Sequence, residues 1–368
     1  MNQKPAQTQN KKLEDTGKPQ DQEVTTLERN DILDYVRGLA IFLMVVAHVT
    51  VFINNNSNAF LGGLAQLIDI IAFTVFLMVS GAVAYLAYLD RKETKKMRSS
   101  IVDRSFNLLV AYFIVSLVAI LPELSKDFAK KTLEILFFLR SPSYSEFLIP
   151  FIVYGFSLIP LRNFYKKIAS NLKLLVIVGL SAYILGWLLY QVPYPKSLSY
   201  YMSFVSGYSD WFRFPLLQYF PVFLVGIYFG RIFQGRELSI ERFIKYGVVI
   251  NIAFMVFLVL GLVSNTAPAE LLERWPPTPL FLLAGTIAFV LMYVGFSLLK
   301  GRIPLSFLSY MGKHASAFYI YHIIILYLYR HYVNIVAPPL LPTIVSLGIV
   351  LGITTLFLEL IKLFRAKI

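Results

Sequence analysis

The chain has no cysteine among its 368 residues. That absence excludes disulfides, cysteine nucleophiles and thiolate metal sites together. Charge is scarce as well: Asp, Glu, Lys and Arg make up 15% of the residues, with 21 acids against 34 bases. No glycine-rich phosphate-binding loop is present, which argues against an ATP-driven pump, and no internal repeat is evident. The first residues show no apolar core with a cleavage site, so no cleaved signal peptide is expected and the first apolar run is expected to direct insertion itself.

What the chain has instead is hydrocarbon. Hydrophobic residues are 57% of the total and the mean hydropathy is +0.65. Apolar runs recur at 31–53, 68–89, 105–122, 146–161, 172–192, 213–233, 244–264, 278–299, 310–329 and 342–364. Most approach the roughly 20 residues that cross a bilayer core of about 30 Å. Backbone groups find no water inside a bilayer, so these runs are expected to be helices. The expected fold class is all-α, a polytopic membrane protein with about ten transmembrane helices. Residues 1–30 are polar with nothing to bury and are expected to form a disordered cytoplasmic tail, followed by one transmembrane domain over 31–366.

A net charge of +13 in a soluble protein would suggest nucleic acid. Here the bases sort along the loops. Counting alternate loops from the N-terminus, six lie between the second and third runs, four after the fourth and four after the sixth. Three more follow the eighth and three close the C-terminus, twenty in all. The opposite loops hold eight: Lys126, Lys130, Lys131, Arg140, Lys196, Arg213, Arg274 and Arg330. That bias places both termini in the cytoplasm and leaves no nucleic-acid partner to invoke.

Two ionisable residues stand inside the first run, Asp34-Tyr35-Val36-Arg37-Gly38-Leu39-Ala40-Ile41-Phe42-Leu43-Met44-Val45-Val46-Ala47-His48. Arg37 and His48 are eleven steps apart, three helical turns plus about 20°, and share one face. Asp34 lies one turn before Arg37 and joins it. Ionisable groups in a membrane helix cost roughly 2.5 kcal/mol or more near its centre and are kept for function; the plainer alternative for Arg37 is a side chain snorkelling to the cytoplasmic interface. Ser80-Gly81 falls in the second run, where small residues also serve close helix packing. His322 lies in the ninth run at a depth comparable with His48, either as a second functional imidazole or as a packed, hydrogen-bonded side chain. Glu146 stands at an exterior mouth, as an acid or base or as a carboxylate favoured at a helix start. Trp275, Tyr194, Tyr200 and Tyr201 are read as exterior interfacial aromatics; the alternative for those three tyrosines, with Tyr208 and Trp211, is a surface on which a sugar stacks.

The sequence resembles acyltransferase family 3 and the related heparan-glucosaminide acetyltransferase-like proteins. The resemblance rests on Leu33-Asp34-Tyr35-Val36-Arg37-Gly38-Leu39-Ala40-Ile41 with His48 after it, on Phe76-Leu77-Met78-Val79-Ser80-Gly81, and on Phe220-Pro221 through Gly230-Arg231. Arg274-Trp275-Pro276-Pro277-Thr278-Pro279 is similar to a loop of the glucosaminide branch, and Gly312-Lys313-His314 with Tyr319-Ile320-Tyr321-His322 to a late helix. Arg104-Ser105-Phe106-Asn107-Leu108-Leu109-Val110-Ala111-Tyr112 departs at Asn107 and Ala111 from the two arginines and Pro-Pro-Tyr of many members. The resemblance implies transfer of an acyl group, usually acetyl, from cytoplasmic acyl-CoA as co-substrate to a glycan or lipid-linked acceptor of the cell envelope, without a metal. Expected catalytic residues are His48, Arg37, Asp34 and His322; expected donor-binding residues are Arg37, Ser80, Arg91 and Arg104. His48 is read as general base or transient acyl carrier, and the arginines as partners of donor phosphates. The competing reading is a secondary transporter or glycan flippase with the same polar residues in its path.

Overall fold

A computed structural model describes residues 30–54, 59–121, 127–208, 212–233, 272–332 and 340–365. Among these, every named element is a helix: α1 (Asp31–Val49), α2 (Ala59–Ala84), α3 (Lys95–Ile120), α4 (Phe128–Leu136), α5 (Leu148–Ser157), α6 (Arg162–Ser170), α7 (Leu172–Gln191), α8 (Lys196–Ser206), α9 (Leu216–Ile232), α10 (Pro279–Leu299), α11 (Ser306–Lys313), α12 (Ala315–Tyr332) and α13 (Leu340–Arg365). Single π turns extend α1 over Thr50–Asn54 and α2 over Tyr85–Leu89. Local chemistry sets the helix starts. Asn30 caps α1 by accepting from the Leu33 N–H at 3.2 Å, and Asp31 and Asp34 favour the positive end of its dipole. Thr94 and Asn171 cap α3 and α7 in the same way.

Six helical segments are long and apolar enough to span a bilayer: Asp31–Ile53, Phe60–Leu89, Lys95–Ile120, Leu172–Gln191, Pro279–Leu299 and Pro342–Phe364. The protein is thus an all-helical, multi-pass membrane protein. Three further expected spans take other forms. The run at 146–161 becomes α5, which bends 97° into α6 around Pro160, a residue with no N–H for a helix to use. The run at 213–233 gives the shorter α9. The run at 310–329 is not continuous: His314 leaves helical geometry between α11 and α12. The expected span at 244–264 and the tail at 1–29 lie outside the described residues.

α1 and α2 are the most enclosed spans, 56% and 61% buried, against 17% for α7 and 22% for α13, whose sides are left for lipid. Two glycine contacts fix that centre. A Cβ on Gly38 would stand 1.9 Å from the Leu308 carbonyl oxygen, and one on Gly312 would stand 1.9 Å from that of Asp34, so α1 and α11 touch backbone to backbone. Gly81 and Gly226 permit the same approach of α2 to α9. Small residues at crossings of this kind are how membrane helices pack without a hydrophobic driving force.

The charges separate by end. Lys300 pairs with Asp31 at 3.8 Å, Arg162 donates to the carbonyls after α2, Arg231 donates to the Ala169 carbonyl, and Lys362 lies over the Tyr310 ring. These contacts gather the starts of α1 and α6 and the ends of α2, α9, α10 and α13 at one end of the bundle. His48, Glu146, Arg213, Arg274 and Trp275 gather at the other.

Candidate active site

Two cavities enter the bundle from its opposite ends. The first, about 140 Å³, is walled by α1, α2, α3, α5, α11 and α12, with Arg37, Ser80, Arg104, Ser105, Lys313 and Ser316 among its lining. Arg37 donates to the Gly312 carbonyl at 3.5 Å, a contact made by the glycine-mediated closeness of α1 and α11. Arg104 reaches the Tyr88 hydroxyl at 3.5 Å. Three cationic side chains and three hydroxyls in one small chamber suit an anionic ligand.

The second cavity, about 230 Å³, holds His48, Asp69, Tyr144, Glu146, Arg213, Arg274 and Trp275. His48 Nδ1 lies 2.9 Å from His322 Nε2, and the two rings are nearly parallel, 9° apart. His322 Nδ1 in turn lies 2.7 Å from the Phe318 carbonyl. A carbonyl only accepts, so His322 Nδ1 carries the proton, and its Nε2 presents a lone pair in the neutral ring. His48 Nδ1–H must then donate to His322, which leaves the lone pair of His48 on Nε2. A neutral imidazole whose tautomer is set by a partner on its far nitrogen is the arrangement a general base requires. His322 is fully buried and stands behind His48 rather than on the cavity wall.

Charge surrounds the dyad in pairs. Arg274 binds Asp69 at 2.5 Å. Glu146 accepts from the Arg213 backbone N–H at 3.1 Å, and the Arg213 guanidinium is 3.6 Å away. Glu146 is 3% exposed, and burial pushes its carboxyl up to about 7, although Arg213 and Arg274 pull it down. Both guanidiniums lie on the Trp275 ring, at 4.5 and 4.0 Å from its centroid. Tyr144 stacks edge-on against His48 at 4.7 Å. Its backbone is left-handed, φ 69°, a conformation a tyrosine holds only where the surroundings impose it. The Tyr319 hydroxyl donates to the Tyr144 carbonyl and that of Tyr327 to the Ser143 carbonyl, so two tyrosines of α12 pin this loop.

The expected residues divide accordingly. His48 and His322 come together; Arg37, Ser80 and Arg104 come together, but in the other chamber, so the shared face of α1 serves two sites. Asp34 is 4% exposed beneath the α1–α11 crossing rather than on the cavity wall. Arg91 is exposed, and its carbonyl accepts from Arg162. Tyr194 packs on Tyr208 away from the dyad's cavity, so the sugar-stacking group does not assemble there; Trp211 lies outside the described residues. Asp69, Tyr144 and Arg213 were missed as site residues. Asp69 carried a signal, being a carboxylate within an apolar run.

An all-helical membrane protein with two polar chambers, one of them holding a histidine dyad, is the class that fold and site define. Within that class, the chain belongs to acyltransferase family 3: the family's acyltransferase domain matches residues 30–359. No curated protein and no solved structure matches it.

Proposed function

We propose that this membrane acyltransferase moves an acyl group, acetyl by preference, from cytoplasmic acyl-CoA to a hydroxyl of a cell-envelope glycan or lipid-linked acceptor. The observation that carries the reading is the His48–His322 bond, which leaves a basic nitrogen at a chamber separate from, and next to, one lined by Arg37 and Arg104. The arginine chamber takes the donor, with Arg37, Arg104 and Lys313 pairing phosphate and carbonyl oxygens. The preponderance of bases at that end argues for the cytoplasm of a cell membrane, with both termini on that side. The dyad chamber takes the acceptor, with Asp69 and Glu146 holding its hydroxyls.

In the reaction, His48 Nε2 removes the acceptor O–H proton as the oxygen attacks the thioester carbonyl. The C–S bond breaks, and the thiolate leaves and takes the proton back from the imidazolium. His322 holds the tautomer throughout and favours the charged intermediate through its Nε2 lone pair.

The test is transfer from radiolabelled acetyl-CoA by purified protein in sealed vesicles offered several glycan acceptors. His48→Ala is expected to lose about 10²–10⁴-fold in rate, the usual share of a general base, with no label retained on the protein. Arg37→Ala raises KM for the donor. His322→Leu depresses kcat and flattens its dependence on pH, whereas His322→Gln, whose carbonyl still accepts from His48 Nδ1–H, recovers part of both. Full transfer by a folded His48→Ala protein would overturn the assignment.

A further inference from the structure

The two chambers share two lining residues, Phe147 and Tyr319. Their rings stack with centroids 4.5 Å apart at 20°, and they are 7% and 2% exposed. Phe147 is also the centre of an aromatic layer: Phe73 and Phe214 meet it from the acceptor side, Phe76 and Phe151 from the donor side. Arg37, Ser80 and Arg104 lie only on one side of this layer and His48 only on the other. Reacting atoms must come within roughly 3–3.5 Å. A thioester anchored among the arginines therefore meets an acceptor oxygen beside His48 only if the layer parts.

We propose that Phe147 and Tyr319 are specificity-determining residues that form a gate: Phe147 swings aside to admit the acyl thioester to His48 and otherwise bars water from it. The proposal rests on the donor and acceptor reading above. Tyr319 is the fixed post, because its hydroxyl is bonded to the Tyr144 carbonyl and its ring lies one turn from His322 on the same helix. Phe147 is the moving leaf, because it precedes the first turn of α5 and its side chain has no polar tether. Exclusion of water is how enzymes holding reactive acyl groups avoid hydrolysis. With the gate lost, a water oxygen attacks the thioester carbonyl and gives its proton to His48 Nε2; a C–O bond forms, the C–S bond breaks and the thiolate takes up the proton, yielding free acid and CoA thiol.

The absence of cysteine allows the gate to be read without any donor. In the full chain in sealed vesicles, Ala72→Cys, on the acceptor side of the layer, is exposed to a membrane-impermeant cationic methanethiosulfonate added at the arginine-lined end. Labelling is expected only when Phe147→Ala or the milder Phe147→Leu is also present. With acetyl-CoA and no acceptor, the same variants are expected to release thiol about tenfold faster, and His48→Ala to remove the increase. Phe147→Trp is expected to keep acetyl-CoA binding and lose transfer. Equal labelling with and without Phe147, in proteins that unfold at the same temperature, would overturn the gate. Labelling that follows Phe147 in a protein that neither binds nor cleaves acetyl-CoA would uphold the gate as a barrier and sink the donor reading instead.

Discussion

Glu146 carries a carboxyl that is almost out of water and still touches a guanidinium. Desolvation opposes its charge and Arg213 favours it; burial wins, and the group titrates near 7 rather than near 4.5. A folded-state value raised above the unfolded one means that the native protein holds the proton longer. The stabilisation is therefore complete below about 4.5 and is lost as pH rises through about 7. Glu146→Gln keeps the shape and removes the titration. Its unfolding temperature, measured against wild type in detergent, is expected to gain steadily between about pH 5 and about pH 8; parallel curves would mean that the carboxyl is not desolvated in the native state. Sequence alone set Glu146 against the bland alternative of a helix-start carboxylate. Its burial and its bond to the Arg213 backbone N–H, 67 positions away, are features of the packed protein that the local sequence does not carry. His48 was legible because a histidine in hydrocarbon is anomalous wherever it packs, whereas its tautomer depended on a residue 274 positions on.

At the scale of elements, glycine decides where the arginine chamber can be. Gly38 follows Arg37, and its missing side chain lets α1 meet the Leu308 carbonyl of α11, which in turn sets Arg37 beside Gly312. Gly38→Ala forces backbone against a methyl group and is expected to cost about 1–3 kcal/mol, with a weaker donor KM. Gly63→Ala on α2, where a Cβ meets nothing within 4 Å, is the control and is expected to be neutral or slightly stabilising, since alanine favours helix. Thermal unfolding of the two variants side by side checks this; equal behaviour would remove the close crossing. Helix existence was readable from the apolar runs. The break at His314 and the 97° turn after α5 were less so, because an apolar run states only that a segment prefers lipid or core, not that it runs straight.

For the whole molecule, the separation of charge gives a directed protein with a basic end and a dyad end. Native freedom from cysteine makes its sidedness measurable. Lys92→Cys, exposed in the loop after α2, and Lys196→Cys, exposed at the start of α8, are expected to react with an impermeant thiol reagent from opposite faces of intact cells: Lys196→Cys from outside, Lys92→Cys only after permeabilisation. Labelling of Lys92→Cys from outside, with Lys196→Cys reached only after permeabilisation, would reverse the assignment of chambers to donor and acceptor.

Composition by itself determined that the chain is helical and crosses a membrane several times, since hydrophobicity and loop charge are local quantities that add along a sequence. It also singled out Arg37 and His48, whose cost in hydrocarbon does not depend on their neighbours. Only the tertiary structure decided that these two serve different chambers, that His322 sets the tautomer of His48, and that Asp69, Glu146, Arg213 and Arg274 ring the same cavity. Each of those outcomes depends on which helices touch and at what height, and that is fixed by shape complementarity between segments hundreds of residues apart, which no local pattern encodes.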